Sequence, residues 1–191
     1  MANWAYTDYV IEGPKEALQK IHDAIMYCKP SNGASEGWEG DILSTLGITW
    51  DRDKKYLRGF IQKDTVDLTD TTLSFGAEEA WGATDFHEML QIGIPDIKVY
   101  YRVDEPDDAV YATNDKEGKY FTERYFVDTC IDGNCESEYF TTEEEAYKWL
   151  SRITQDRVRN FEELDQFNGD YEDTEYADEN WIRMYVFDIV D

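Results

Sequence analysis

The chain has 191 residues, with 43 Asp+Glu against 18 Lys+Arg and a formal charge of −25. A nucleic-acid binder neutralises phosphates with Lys and Arg, so that class is excluded, and docking on an anionic membrane surface is disfavoured for the same reason. Disorder, the other outcome of high net charge, is excluded by the 41% hydrophobic and 15% aromatic content, since rings bury the area that a core needs.

No stretch reaches the ~18–20 apolar residues of a membrane span. The opening Met1-Ala2-Asn3-Trp4 has neither the basic region nor the apolar run of a signal peptide. The expected location is therefore the cytoplasm. Cys28, Cys130 and Cys135 are too few for a disulfide framework. In Cys130-Ile-Asp-Gly-Asn-Cys135 the Asp132-Gly133 pair signals a two-residue hairpin loop. Cys130 then lies opposite Cys135 in a non-hydrogen-bonded pair, where side chains come closest. A disulfide is sterically open to them, but a reducing compartment predicts two thiols.

Residues 3–12 are rich in aromatic and β-branched side chains and read as a strand. Gly13-Pro14 ends it, and Leu18, Ile21, Ile25 and Cys28 then recur at helical spacing. A polar loop runs from Lys29 to about Gly37, followed by a short helix over 38–46 closed by Gly47. Residues 56–63 and 72–79 form two further strands joined by an Asp/Thr-rich turn. A second main helix starts near Thr84 and buries Phe86, Met89 and Leu90, and 97–104 alternates as a strand. The order β-α-β-β-α-β predicts an α+β fold, the ferredoxin-like arrangement of a four-stranded antiparallel sheet with two helices on one face. The domain spans 1–113, with the short helix as an insertion at about 38–47 and 109–113 as a last short strand.

Residues 114–191 extend it. A long hairpin covers 119–131 and 134–140, and Thr142 with Glu145 forms the capping box of a third helix carrying Ala146, Trp149, Leu150 and Ile153 on one face. The segment 162–180 holds nine acids and no base, and 181–190 is an apolar strand expected to pair back into the sheet.

Three features form a recognisable pattern: Met1-Ala-Asn-Trp4 opening a strand that ends at Gly13, Ala80-Trp81 before a helix, and Ile94-Pro-Asp-Ile-Lys-Val-Tyr-Tyr101 followed by Asp104-Glu105. Over residues 1–113 it resembles the ferredoxin-like domain of unknown function found in phage and bacterial mobile-element proteins. The chain departs from those proteins at Trp50-Asp-Arg-Asp-Lys-Lys55, where they usually have a Trp-Gly-rich stretch. The resemblance implies the fold and a bacterial host cell, and it brings no activity, cofactor or catalytic residue with it.

Candidate chemistry is sparse. His87 lies between Asp85 and Glu88, as a general base with a carboxylate partner would, but a surface histidine in an acidic chain looks the same. Glu78 and Glu79 are consecutive in a strand and point to opposite faces, so they do not share a site. Asp165, Asn168, Asp170, Glu172 and Asp173 are oxygen donors in a short window, yet no frame meets the EF-hand spacing. Neither a metal nor a cofactor is expected. The rings at Tyr100-Tyr101 and at Tyr120, Phe121, Tyr125 and Phe126 read as core and cross-strand pairs.

What remains is charge. Residues 162–191 carry eleven acids and one base, a net of −10, which leaves −15 on the first 161 residues. The acids Glu162, Glu163, Asp165, Asp170, Glu172, Asp173, Glu175, Asp178 and Glu179 are interleaved with Phe167, Tyr171 and Tyr176. Aromatics supply anchors that a solvated tail lacks. The expectation is a non-enzymatic interaction protein that binds a basic, nucleic-acid-binding protein through this surface, in its sharpest form a DNA mimic that inhibits a host defence system. Self-association is compatible with the sequence. The alternative is a small-ligand module with an aromatic-lined pocket at Trp4, Trp81 and Tyr101.

Overall fold

The computed structural model describes residues 3–31 and 36–190. Residues 32–35 of the expected polar loop, and Met1 and Ala2 of the opening motif, lie outside them. The protein is α+β and divides into two compact units, one of residues 1–121 with 189–191 and one of residues 122–188. Sequence pattern places the boundary at 113, whereas the chain stays with the first unit to Phe121.

The first unit contains β1 (Trp4–Glu12), α1 (Lys15–Tyr27), α2 (Glu39–Thr45), β2 (Gly59–Leu68), β3 (Thr72–Ala80), α3 (Phe86–Gly93), β4 (Lys98–Glu105) and β5 (Val110–Thr113). The last strand, β9 (Asp188–Ile189), completes a sheet of order β2-β3-β1-β4-β5-β9. β1 is central and pairs antiparallel with both β3 and β4. Its odd-numbered residues Ala5, Thr7, Tyr9 and Ile11 are buried, as a period-two pattern requires when one face meets the core. Leu18, Ile21 and Ile25 of α1 and Phe86, Met89 and Leu90 of α3 cover that face, together with Ile42 and Leu43 of α2. α2 is thus part of the core, and Gly47 beyond it has the left-handed φ of 76° that suits a residue without Cβ.

β2 extends five residues past the expected end at Lys63. The register shifts between Gln62 and Asp67, and the Thr65 hydroxyl fills the gap by donating to Gln62 O and accepting from Gly76 N–H. An irregularity of this kind lets a strand carry Asp and Thr that read as a turn.

The second unit contains β6 (Tyr125–Ile131), β7 (Asn134–Phe140), α4 (Glu143–Ile153), α5 (Phe161–Tyr171) and β8 (Trp181–Val186), with its sheet in the order β7-β6-β8. Val127, Ile131, Ala146, Leu150, Leu164, Phe167 and Ile182 form its core. The capping box at Thr142 and Glu145 is present. β8 pairs with β6, so only the residues beyond it return to the first sheet. Cys130 sits opposite Cys135 with Cα atoms 3.9 Å apart, and the two form a disulfide. This corrects the expectation of two thiols: the tight turn leaves the sulfurs in bonding reach.

Phe86 is fully buried and meets Tyr9 and Phe75 edge-on, with ring centroids 6.2 and 6.4 Å away. Phe86→Ala is expected to lower stability by about 3–5 kcal/mol, measured by urea denaturation of the first unit's signals. A loss below about 1 kcal/mol would show that α3 does not anchor this core.

Candidate functional site

Much of the acidic segment is helical, α5 taking it from Phe161 to Tyr171. Asn160 caps α5, its side chain accepting from Glu163 N–H at 3.0 Å. Leu164 and Phe167 point inward, which leaves Glu162, Asp165 and Asp170 on the solvent side, followed by exposed Glu172, Asp173, Glu175, Asp178 and Glu179. Among the described residues, Glu163 is the one member of this set with an ion pair, to Arg159. That contact lowers its pKa below the usual carboxylate value, chiefly through the hydrogen bond from the guanidinium. The set supplies no calcium cage. Asn168 is used structurally, donating to Ile182 O and accepting from Ile182 N–H, both at 2.8 Å. Among the described residues no three His, Cys, Asp or Glu side chains converge as metal ligands.

The three aromatic pocket candidates do not share a face. Trp4 and Trp81 are exposed at 44% and 49%, whereas Tyr101 is 7% exposed. Tyr101 pairs in register with Tyr9 and so lies on the helix-covered face, opposite to Trp4. Trp4 instead neighbours Phe60 at 6.2 Å, and Trp81 neighbours Tyr56 at 6.1 Å. The remaining rings form the expected pairs, with Tyr100 against Tyr120 at 5.1 Å and Phe126 against its cross-strand neighbour Tyr139 at 4.8 Å.

His87 does not pair with its sequence neighbours. Asp85 accepts from the Tyr56 backbone N–H and from Lys55, and Glu88 accepts from the same Lys55. The imidazole packs on Tyr101 at 4.5 Å, and burial pushes its pKa down. It is therefore a neutral side chain packed at a tilt against a ring, with its sequence-neighbour carboxylates engaged by Lys55.

Sequence reasoning missed a buried acid pair. Glu39, from the first turn of α2, and Glu79, near the end of β3, are both fully buried. Tyr9 donates its hydroxyl to Glu79 Oε1 and Oε2 at 2.9 and 3.1 Å, and Thr84 N–H donates to Glu79 Oε1 at 3.1 Å. The Thr84 Oγ1 atom lies 2.7 Å from Glu79 Oε1 and 2.9 Å from Glu39 Oε2. A hydroxyl has one proton, so if it donates to Glu79 the Glu39 contact is satisfied by a proton on Glu39. Burial, then the charge of Glu79, raise the Glu39 pKa well above its ordinary value, in the same direction. Burial and Glu79 likewise raise Tyr9 well above its ordinary value. Gly59 makes room for the pair, since a Cβ there would stand 2.3 Å from Glu39 Oε1. With no exposed atom, the pair holds a proton inside the core and offers no entrance for a substrate.

No protein family, curated protein or solved structure matches the chain.

Glu39 binds a proton in the folded chain above the pH at which it loses it unfolded, so its contribution to stability is full below the ordinary value of 4.5. That contribution falls as pH rises toward the folded value, by roughly 1.4 kcal/mol per pH unit. Glu39→Gln keeps the hydrogen-bonding shape but cannot ionise. Its stability relative to the native chain is expected to rise with pH above 4.5, as read by denaturant unfolding across pH. Parallel curves for the two proteins would remove the buried proton.

Proposed function

We propose that the protein is a non-enzymatic acidic interaction protein that presents the carboxylates of its second unit to a basic protein surface. The observation that carries this reading is the state of the nine acids over 162–180. They stand on a capped helix and the turn after it, and Glu163 alone among them is ion-paired within the described residues. The second unit as a whole holds 19 Asp+Glu and 6 Lys+Arg, a net of −13, and the remainder of the chain −12. Fixed, unneutralised carboxylates steer a cationic partner and raise its on-rate.

In its sharper form the array substitutes for the phosphates of a duplex, which recur about every 1.7 Å of axis. Its target is then a basic cleft built for nucleic acid, in a host system that attacks foreign nucleic acid. The first unit is read as ferredoxin-like. The strand order β2-β3-β1-β4, with β3 antiparallel between β2 and β1, supports that reading, as do the helices that join β1 to β2 and β3 to β4. A fold of this kind carries no function by itself, and the phage or mobile-element setting rests on the resemblance over 1–113.

The test uses two charge-matched variants. One reverses Asp170, Glu172, Asp173 and Glu175 to Lys; the other reverses the exposed Asp64, Asp67, Asp96 and Glu117 of the first unit. In pull-downs from the host lysate, the native chain and the second variant are expected to retain a basic nucleic-acid-binding protein. The first variant is expected to lose about tenfold or more of it, and raised salt is expected to release it. Recovery of no basic protein, or equal loss in both variants, would falsify the assignment to this face.

A further inference from the structure

With 43 acids on the chain, an arginine without a carboxylate partner needs a reason. Among the described residues, Arg52 and Arg58 are two such residues in one short segment between α2 and β2. Lys54 and Lys55 between them are neutralised, Lys54 by Asp51 and Lys55 by Asp85 and Glu88. The two arginines instead lie over rings. The Arg52 Cζ is 5.8 Å from the Trp50 ring centroid, and the Arg58 Cζ is 4.9 Å from that of Tyr56 and 5.0 Å from that of Trp81. Stacking orients a guanidinium by its flat face and leaves its N–H edge free for a bidentate oxoanion.

Both arginines line a cleft of about 200 Å³ whose wall also includes Trp38, Trp50 and Tyr56. That is below the ~300–1,000 Å³ of a site that encloses a whole drug-sized ligand, so it accepts one ring and leaves the rest of the molecule at the rim. A second observation comes from the backbone. Trp81 has φ 62° and Gly82 follows at 87°, and a bulky residue in the left-handed region is a true outlier. The conformation is held by Trp81 N–H donating to Asn3 O at 3.1 Å and Ala80 N–H donating to Arg58 O at 3.0 Å. Strain that keeps a half-exposed indole against an unpaired arginine is of the kind that collects at ligand sites.

We propose that this cleft binds a small aromatic phosphate of the mononucleotide class, its base stacked on the ring wall and its phosphate held by Arg52 and Arg58. Base–aromatic stacking tolerates any base, and a phosphate accepts from two guanidinium groups at once. A polymer is disfavoured by the −25 charge of the chain, because each phosphate beyond the cleft meets a surface with an excess of carboxylates. The site is independent of the acidic face proposed for a protein partner, so either can fail alone.

The experiment follows the indole N–H signals of the full chain by NMR while adenosine 5′-monophosphate, adenosine or inorganic phosphate is added. Adenosine 5′-monophosphate is expected to shift the signals of Trp38 and Trp50 saturably. Adenosine and phosphate alone are expected to bind at least about tenfold more weakly, since each makes half of the contacts. Arg52→Gln and Arg58→Gln are each expected to weaken the nucleotide by about tenfold or more, while Lys54→Gln leaves it unchanged. Arg52 is exposed and rests only on the Trp50 face, so its variant decides the matter even if Arg58→Gln unfolds. No saturable shift at about 10 mM nucleotide, an unchanged response in Arg52→Gln, or phosphate binding as tightly as the nucleotide would each overturn the proposal.

Discussion

An excess of 25 negative charges imposes one constraint on everything this chain builds: a carboxyl group must face water, meet a cation or hydrogen-bond donors, or carry a proton. An unpaired buried charge costs several kcal/mol even after relaxation, and 18 bases cannot match 43 acids. The structure uses all three outlets. Bases such as Lys15, Lys63 and Arg102 are taken up by Asp70, Glu36 and Asp8. The surplus stands outward, most densely from Glu162 to Glu179. The buried pair Glu39 and Glu79 holds a proton, with Tyr9 and Thr84 supplying the remaining donors.

The same constraint gives meaning to the exceptions. Where anions outnumber cations by more than two to one, an arginine that lies over a ring, with no ion pair among the described residues, stands out. Arg52 lies over Trp50, and Arg58 over Tyr56 and the strained Trp81. The acidic helix α5 carries the opposite sign, with no base between Arg159 and Arg183 in the sequence, although Arg157 lies over Phe167 and Arg159 pairs with Glu163. As proposed, the two surfaces take ligands of opposite sign, the first limited in size by its cleft and the second extended along a helix and turn.

Much of the fold was legible because local signals agreed with one another. The alternation of β1, the helical spacing of Leu18, Ile21 and Ile25, the capping box at Thr142 and the Asp132-Gly133 turn each name one element and fit its neighbours. That turn alone places Cys130 opposite Cys135. Helix α5 was hidden by its own charge: Leu164, Phe167 and Tyr171 fall at i, i+3 and i+7 behind an Asn160 cap, but the acids between them suggest solvated chain. The buried pair was out of reach, since Glu39 and Glu79 are forty residues apart and come together only when α2 packs on the sheet. Its faint trace is a glycine, Gly59, where a strand would ordinarily carry a side chain. The separation of Tyr101 from Trp4 depends on the β1–β4 register, which sets Tyr101 beside odd-numbered Tyr9, and no local pattern states a register.

The central claim is that the buried Glu39–Glu79 pair shares a proton while the carboxylates of 162–180 face solvent. Its most direct test is a carboxyl-detected NMR titration with Glu39 assigned through the Glu39→Gln variant. The account predicts that the Glu39 carboxyl carbon keeps its protonated shift at pH values where an ordinary glutamate, near 4.5, has lost it. A Glu39 signal that titrates together with the ordinary glutamates would contradict it.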